Sequence, residues 1–143
     1  MKLFLDTSSL IKLYYKEEDT SDLDKIFINY TITTIFLSEI SKVEFFSAVY
    51  KKARTKTLTS KNADDIIISF SEDEKKYQFI PLNDKIVSLS QKLIKKYGLA
   101  GLRSLDALQL ASAISIKSSL DIALTSDILL KKFLIDESIK CNI

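Results

Sequence analysis

Short apolar runs alternate with longer amphipathic segments along this chain, and each run has the length of a β-strand. β-Branched and aromatic residues are frequent in these runs, which favours extended structure. Strands that alternate with helices predict an α/β fold in which helices cover both faces of a parallel sheet. The predicted strands are residues 2–5 (KLFL), 31–36 (TITTIF), 79–82 (FIPL), 122–126 (IALTS) and 139–143 (IKCNI).

The segments between these runs repeat apolar residues at intervals of three and four positions, which is the spacing of one helix face. The clearest stripe runs from Ile86 to Tyr97 and stops at Gly98, a residue type that often ends helices. Ser38 is predicted to cap the third helix. The predicted helices are residues 8–17, 20–30, 39–54, 60–77, 84–98, 104–119 and 128–135.

The length of 143 residues and the hydrophobic content of 46% predict one domain with its own core, spanning residues 1–143. With two Gly and one Pro, the chain has no candidate flexible linker, and it shows no internal repeat. Right-handed crossovers place the carboxyl ends of parallel strands along one edge of the sheet. Ligands bind at that edge in open α/β sheets, so we expect the functional site there.

The composition excludes several classes of catalytic site. The chain contains no His, which rules out Ser-His-Asp and Cys-His catalysis and metal sites with imidazole ligands. Cys141 is the only Cys, so neither an intrachain disulfide nor a Cys-based zinc site is expected. The remaining chemistry must use carboxylates, hydroxyls, Lys, Tyr or a metal bound through oxygen.

Charge and hydropathy say more about the location of the chain than about its partners. A net charge of +2 neither predicts nor excludes a nucleic-acid partner. Asp6 interrupts the first apolar run too early for a signal peptide, and no apolar stretch is long enough to span a membrane. We therefore expect a cytoplasmic protein without a membrane partner.

Four acidic residues occupy positions where a charge is costly. Asp6 and Asp127 each follow a predicted strand, so they meet at the ligand edge if those two strands are neighbours. Glu44 lies at the border of the apolar stripe of its helix. Asp106 is the only charged residue in a long apolar stretch of its helix, where a carboxylate needs a partner.

Converging carboxylates without His, Cys or paired Arg indicate a hard divalent cation, because Mg²⁺ and Mn²⁺ prefer oxygen ligands. Such an ion lowers the pKa of a coordinated water and polarises a phosphoryl group, which is the chemistry of phosphodiester hydrolysis. A structural role stays open for each residue alone. Asp6, Asp106 and Asp127 suit helix N-termini, and Glu44 suits the exposed face of an amphipathic helix.

Four segments of the chain resemble the PIN-domain ribonucleases, and specifically the VapC-type toxins of bacterial and archaeal toxin–antitoxin pairs. LFLDTSSL resembles the opening strand of the family with its first acidic residue, Asp6, and SEISKVEFFSAVYKKA resembles the helix with the second, Glu44. LRSLDALQLASAI is similar to the most distinctive motif, with Asp106, and IALTSDILLKK to the segment with the fourth acidic residue, Asp127. The four segments follow the order of the family over nearly the whole chain.

This resemblance implies an α/β/α sandwich whose parallel sheet of about five strands has the order 3-2-1-4-5. Strands 1 and 4 are then neighbours, which joins Asp6 to Asp127. The resemblance also implies RNA cleavage that depends on Mg²⁺ or Mn²⁺ held by Asp6, Glu44, Asp106 and Asp127. It further implies a homodimer and inhibition by a cognate antitoxin protein.

Three hydroxyl residues next to these segments are candidates for a supporting role. Ser8, Thr125 and Ser126 are placed to hydrogen-bond the carboxylates or the water ligands of the ion. The alternative is that they cap helices and form turns.

Basic residues near the acidic segments are candidate contacts to RNA phosphates. Lys51, Lys52 and Arg54 lie at the end of the Glu44 helix, and Arg103 precedes the Asp106 helix. For the first three, the alternative is a solvated helix end whose positive charge complements the helix dipole.

The leading hypothesis is a metal-dependent endoribonuclease that acts as the toxin of a type II toxin–antitoxin pair. The alternative is a catalytically silent PIN-like module that binds RNA or serves as a scaffold. A metal-dependent phosphohydrolase is a third reading, but its Asp-x-Asp motif is missing because Thr7 and Ser8 follow Asp6.

Overall fold

The structure is a computed structural model that describes residues 1–17 and 20–141. Within these residues lies one parallel sheet of four strands in the order β3-β2-β1-β4. The predicted α/β fold with a parallel sheet is thereby confirmed. The strands are β1 (Lys2–Leu5), β2 (Thr34–Ser38), β3 (Gln78–Ile80) and β4 (Ile122–Leu124).

Seven α-helices accompany the sheet in the described part of the chain. None of these helices has the length and apolar character needed to cross a bilayer. The helices are α1 (Thr7–Leu10), α2 (Thr20–Asn29), α3 (Ser41–Arg54), α4 (Ser60–Asp73), α5 (Asp84–Tyr97), α6 (Ser104–Ser115) and α7 (Ile128–Asp136).

The central strand β1 pairs with β2 on one side and with β4 on the other. Leu5 lies opposite Leu124, so the residues that follow them, Asp6 and Thr125, leave the sheet at the same edge. The first and fourth strands are therefore neighbours, as expected. This register places the first acidic residue beside the segment that leads to Asp127.

The expected fifth strand is reduced to a single bridge in the described residues. Cys141 forms an isolated parallel bridge with Ala123 of β4. Ser138 has a left-handed backbone conformation with φ of 60°, which turns the chain back towards β4. The sheet thus differs from the expected five strands in its last member, and residues 142–143 of the predicted strand 139–143 lie outside the described residues.

The helix predicted over residues 8–17 is much shorter in the structure. α1 begins at Thr7 because the carboxylate of Asp6 accepts a backbone N–H of the first turn at 2.9 Å and caps it. The chain then passes into a 3₁₀ turn at Ile11–Leu13. Tyr14 follows this turn, and its side chain is held by other parts of the structure.

An aromatic cluster built from α3, α4 and the turn after α4 holds Tyr14. The Tyr14 ring contacts the rings of Phe45 and Phe70 edge-on, with centroid distances of 5.2 and 5.9 Å. Its hydroxyl donates to Asp73 at 2.9 Å and lies 2.5 Å from the hydroxyl of Tyr77. These contacts stabilise Tyr14 in a position that a continued helix over residues 8–17 would not allow.

Pairing between strands also moves the second predicted strand. β2 covers Thr34–Ser38 instead of residues 31–36, because Ser38 pairs with Ile80 of β3. Ser38 is therefore part of the sheet, and the prediction that it caps the following helix is wrong. Ile40 precedes α3 instead, without a hydrogen bond from its side chain.

Other predicted elements end earlier than expected. β3 stops at Ile80 because Pro81 has no N–H group to donate to the sheet. β4 stops at Leu124. The helices predicted over 60–77 and 104–119 end as regular α-helices at Asp73 and Ser115 and are followed by 3₁₀ turns.

The core lies on both faces of the sheet, in agreement with a three-layer arrangement. Side chains of β1 alternate between the two faces, as the period of a strand requires. Phe4 packs with apolar residues of α5, α6 and α7, whereas Leu3 and Leu5 pack with those of α1, α3 and α4. Since both faces are covered there, Leu3, Phe4 and Leu5 of β1 are all apolar and buried up to Asp6.

A glycine after α5 supplies a backbone conformation that other residues rarely adopt. Gly101 has φ of 109° and ends the 3₁₀ turn after α5, whereas Gly98, the predicted stop, has an ordinary helical φ of −58°. A Cβ atom at Gly101 would lie 3.0 Å from Cδ2 of Leu129 in α7. The turn therefore depends on Gly101 for both its conformation and its space.

We predict that Gly101→Ala lowers the free energy of unfolding by about 1–2 kcal/mol, because Ala is strained at positive φ. Gly98→Ala is the matched control, and we expect it to change that free energy by less than about 1 kcal/mol. Urea unfolding of both variants measures the difference. Equal unfolding midpoints for the two variants would contradict this account of the turn.

Candidate active site

Asp6 is a buried carboxylate at the carboxyl end of the central strand. Its side chain is 5% exposed, and its backbone N–H donates to the carbonyl of Leu124 at 3.3 Å. The carboxylate accepts hydrogen bonds from the Thr125 hydroxyl at 2.5 Å and from the backbone N–H of Ser9 at 2.9 Å. The Ser8 hydroxyl lies 2.7 and 2.8 Å from its two oxygens.

The pKa of Asp6 is raised to about 6: burial raises it most, the hydrogen bonds from Thr125, Ser8 and Ser9 lower it, and the negative charge of Asp127 raises it. The effect of burial on the pKa of Asp6 is thus larger than the opposite effect of the three hydrogen-bond donors. Asp6 caps α1, as the structural reading proposed, and it also lies at the ligand edge of the sheet. The structure thus confirms the helix cap, and a metal-binding role of Asp6 stays a prediction.

Asp127 is the N-cap of α7 and is exposed to solvent. Its carboxylate accepts the backbone N–H of Leu130 at 2.8 Å. Its own backbone N–H donates to the hydroxyl of Thr125 at 3.0 Å, and the same hydroxyl donates to Asp6. Thr125 therefore links the two acidic residues that follow neighbouring strands.

Ser126 supports the loop between β4 and α7. Its backbone N–H donates to the hydroxyl of Ser8 at 3.0 Å, and its own hydroxyl accepts a hydrogen bond from the ammonium of Lys12. Ser8 and Thr125 thus contact the Asp6 carboxylate directly, whereas the Ser126 side chain contacts a cation.

Glu44 lies in the first turn of α3 and is partly buried. Its Oε1 accepts hydrogen bonds from the Gln109 amide at 2.7 Å and from the Thr7 hydroxyl at 3.2 Å. Burial raises the pKa of Glu44, the two hydrogen bonds lower it, and the negative charge of Asp106 raises it. Glu44 is therefore held in place by residues of α1 and α6.

Asp106 lies in the first turn of α6, between the other acidic residues. Burial raises the pKa of Asp106, the negative charge of Asp127 raises it further, and the positive charge of Arg103 lowers it. The charge of Asp127 likewise raises the pKa of Asp6, and the charge of Asp106 raises that of Glu44. The four carboxylates therefore form an electrostatically linked series in the order Asp6, Asp127, Asp106 and Glu44.

The structure brings the four carboxylates to one edge of the sheet without closing them into a compact cluster. Over residues 1–17 and 20–141, no group of three acidic or sulfur-bearing side chains is placed to hold a metal ion. Like charges repel, and this repulsion acts against a tighter arrangement of the carboxylates.

A groove of about 640 Å³ extends from this acidic edge along α3. Thr7 and Glu44 lie at one end, and Lys51 and Lys52 lie near the end of the same helix. Glu44 and Lys51 are two turns apart on α3, about 10 Å along its axis. The lining also includes the apolar residues Ile11, Ile40, Val43, Ala48 and Leu105.

The predicted basic contacts differ in their surroundings. Lys51 lines the groove and is exposed. Lys52 also lines it, but its ammonium forms an ion pair with Glu17 at 3.0 Å and lies 4.6 Å from the ring centroid of Tyr15. Arg54 is exposed and is not part of the groove lining.

Two buried polar residues of the site were missing from the sequence prediction. Gln109 is 2% exposed and contacts Glu44, and Lys12 is 5% exposed and contacts Ser126. A signal for Gln109 exists in the sequence, since it follows Asp106 by three positions on an otherwise apolar helix and therefore shares its face. Lys12 has a weaker signal, a single cation within an apolar run.

The solved structures that share this fold include the following three. VapBC2 from Rickettsia felis, bound to a DNA fragment from its promoter, is 19% identical, with a TM-score of 0.66 over 99% of this chain and 98% of that chain. Mycobacterium tuberculosis VapC20, a sarcin-ricin loop cleaving toxin, is 11% identical, with a TM-score of 0.68 over 91% and 93%. A toxin–antitoxin complex from Klebsiella pneumoniae is 18% identical, with a TM-score of 0.61 over 87% and 86%.

No curated protein sequence matches the chain, and the identities to the solved structures are low, so these likenesses establish the fold alone. The family described as PIN domain, in contrast, matches the sequence over residues 3–133. The match begins in β1, ends in α7 and includes all four carboxylates described above. The chain belongs to the PIN domain family.

Proposed function

We propose that the chain is a metal-dependent endoribonuclease and the toxin of a type II toxin–antitoxin pair. The observation that carries the proposal is the Asp6 carboxylate, which is buried at the ligand edge of the sheet with its pKa raised to about 6. A buried carboxylate with its pKa raised by burial and by a second carboxylate is typical of a functional site.

The donor set of the site suits a hard divalent cation. Asp6, Glu44, Asp106 and Asp127 offer only carboxylate oxygens, and Mg²⁺ and Mn²⁺ prefer such ligands. These four residues would hold the ion, and their mutual repulsion would be relieved by its charge. When bound, the ion would neutralise charge on a phosphodiester and lower the pKa of a coordinated water.

The surrounding residues orient this donor set. Thr125 and Ser8 fix the Asp6 carboxylate from two sides, and Thr125 also fixes the backbone of Asp127. The Thr7 hydroxyl and the Gln109 amide both donate to Oε1 of Glu44. Oε2 of Glu44 takes no part in these two hydrogen bonds. Hydrogen bonds of this kind hold metal-binding carboxylates in one orientation.

RNA is the proposed substrate, and the polarity of the groove supports it. If the scissile phosphodiester of an RNA strand binds at the four carboxylates together with the divalent cation, the adjacent phosphates of the strand lie near positively charged side chains. Lys51 lines the groove two helical turns from Glu44, and Arg103 is close enough to Asp106 to lower its pKa. VapC20, which shares the fold, is a toxin that cleaves an RNA structure, the sarcin-ricin loop.

A cognate antitoxin and a second copy of the chain are the proposed protein partners, in the cytoplasm. Toxin–antitoxin complexes are among the structures with the same fold. An apolar stripe on α3, formed by Val43, Phe46 and Tyr50, remains exposed in the single chain. Exposed stripes of this kind mark protein interfaces.

A catalytically silent PIN-like module that binds RNA or serves as a scaffold is the second candidate. The observation that favours it is the absence, within the described ranges, of three acidic side chains placed to hold an ion. Calorimetric titration with Mn²⁺ separates the two functions. Binding supports the nuclease, whereas a chain that binds no Mn²⁺ but still binds RNA supports the silent module.

We predict that Asp6→Asn lowers the RNA cleavage rate about 100-fold or more, because loss of a mere hydrogen-bond partner of a metal ligand already costs about 10- to 100-fold. Asn still caps helices well, so the far-UV circular dichroism of the variant should match the wild type. Asp65→Asn, which removes an exposed carboxylate from α4, is the matched control and should cleave normally. Undiminished cleavage by Asp6→Asn would refute the proposed site.

The raised pKa of Asp6 predicts a pH-dependent metal affinity. Below pH of about 6 this carboxylate binds a proton, which Mn²⁺ must displace. We therefore expect the apparent Mn²⁺ affinity to fall about 10-fold or more between about pH 7.5 and about pH 5, with proton release on binding. Titration calorimetry in two buffers of different ionisation enthalpy measures both effects, and equal affinities at the two pH values would contradict them.

We predict that Lys51→Gln weakens binding of a single-stranded RNA and reduces the slope of log Kd against log salt by about 0.7, since one phosphate contact is lost. Lys92→Gln, at an exposed position of α5 in the other helical layer, is the matched control. Both variants are measured in the Asp6→Asn background, which prevents cleavage. A slope unchanged by Lys51→Gln would exclude this contact.

A further inference from the structure

Gln109 is a buried side chain that joins three helices at the acidic edge. Its Nε2 lies 2.7 Å from Oε1 of Glu44, 3.0 Å from the hydroxyl oxygen of Ser41 and 3.2 Å from that of Thr7, so its two N–H groups are shared among these three acceptors. Through these bonds the amide connects α6 to both α1 and α3. The shortest of them goes to a carboxylate, and hydrogen bonds to charged acceptors are the strongest.

The carbonyl oxygen of the Gln109 side chain, in contrast, lacks a hydrogen-bond donor in the described part of the chain. Oε1 of Gln109 is buried and has no hydrogen-bond partner among the described residues. A buried acceptor without a donor is destabilising, and such groups are rare in native structures.

The carboxylate of Glu44 explains this orientation. If Oε1 and Nε2 were exchanged, the amide oxygen would lie against Oε1 of Glu44 at the present 2.7 Å, and two acceptors would face each other. The hydrogen bond to Glu44 therefore fixes the orientation of the Gln109 amide, although this orientation leaves Oε1 of Gln109 without a donor.

We propose that Gln109 is a positioning residue that holds the Glu44 carboxylate in the orientation required to bind a divalent cation. The inference rests on the proposed metal-dependent function and assigns a residue to it that lies outside the four carboxylates. Glu44 has several rotatable bonds and lines the groove from the first turn of α3, so a hydrogen bond from the Thr7 hydroxyl alone would leave its side chain more freedom. A fixed amide from the opposite helix removes that freedom.

The test compares Mn²⁺ affinity in two variants of α6. Gln109→Leu removes the donor and keeps a side chain of similar volume. Ser112→Ala removes another fully buried polar group of the same helix, a hydroxyl that donates to the carbonyl of Leu108 at 2.7 Å and lies 3.0 Å from the hydroxyl of Ser38. We expect titration calorimetry to show an affinity about 10-fold or more lower for Gln109→Leu, and an unchanged one for Ser112→Ala.

A purely structural role of Gln109 would give a different result. Gln109→Leu would then lower the thermal unfolding midpoint and bind Mn²⁺ as the wild type does, and this outcome overturns the inference. If Gln109→Leu does not fold, Gln109→Met replaces it with the same expectation, because Met is unbranched like Gln and has neither an N–H donor nor a carboxylate.

A second readout needs no metal. In the metal-free protein, we expect the side-chain amide resonances of Gln109 to shift in Glu44→Ala and to stay unchanged in Ser112→Ala. Unshifted resonances in Glu44→Ala overturn the contact itself. A wild-type chain that binds no Mn²⁺ while these resonances do shift overturns the proposed metal-dependent function instead, so the two failures are distinguishable.

Discussion

The structure depends on the burial of one carboxylate at the end of the central strand. Asp6 loses its hydration when helices cover both faces of β1, and its raised pKa reflects that cost. The donors that compensate come from α1 and from the segment after β4, through Ser8, Ser9 and Thr125. Because Thr125 lies 119 positions from Asp6 in the sequence, its hydrogen bond to this carboxylate ties the start of the chain to its last third.

Each of the two helical layers adds one carboxylate to the edge of the sheet at which Asp6 lies. Glu44 on α3 and Asp106 on α6 are both partly buried, and each feels the charge of the next carboxylate. Positive charge lies further out, at Lys51 along the groove and at Arg103 before α6. This separation of acidic and basic regions suits a phosphodiester whose reacting group meets a cation while its neighbours meet lysine or arginine.

Local pattern was a good guide to the kind of each element and a poorer guide to its ends. The helix predicted over 8–17 stops early because Tyr14 is held by Phe45 and Asp73, which lie on other helices. Ser38 looked like a helix cap, but its backbone pairs with Ile80 in the sheet. In both cases a contact between distant segments outweighed the local preference.

The sequence alone determined the α/β alternation, the apolar central strand, the exclusion of His and Cys chemistry, and the four carboxylates as candidates, because these follow from residue type and local spacing. Only the tertiary structure decided the register in which β1 pairs with β4 and that Thr125 bridges Asp6 and Asp127. It also decided that Gln109 reaches across the interior to Glu44. The bonds from Gln109 to Glu44 and from Thr125 to Asp6 join residues 65 and 119 positions apart, and packing of the whole core, rather than any local preference, brings such residues together.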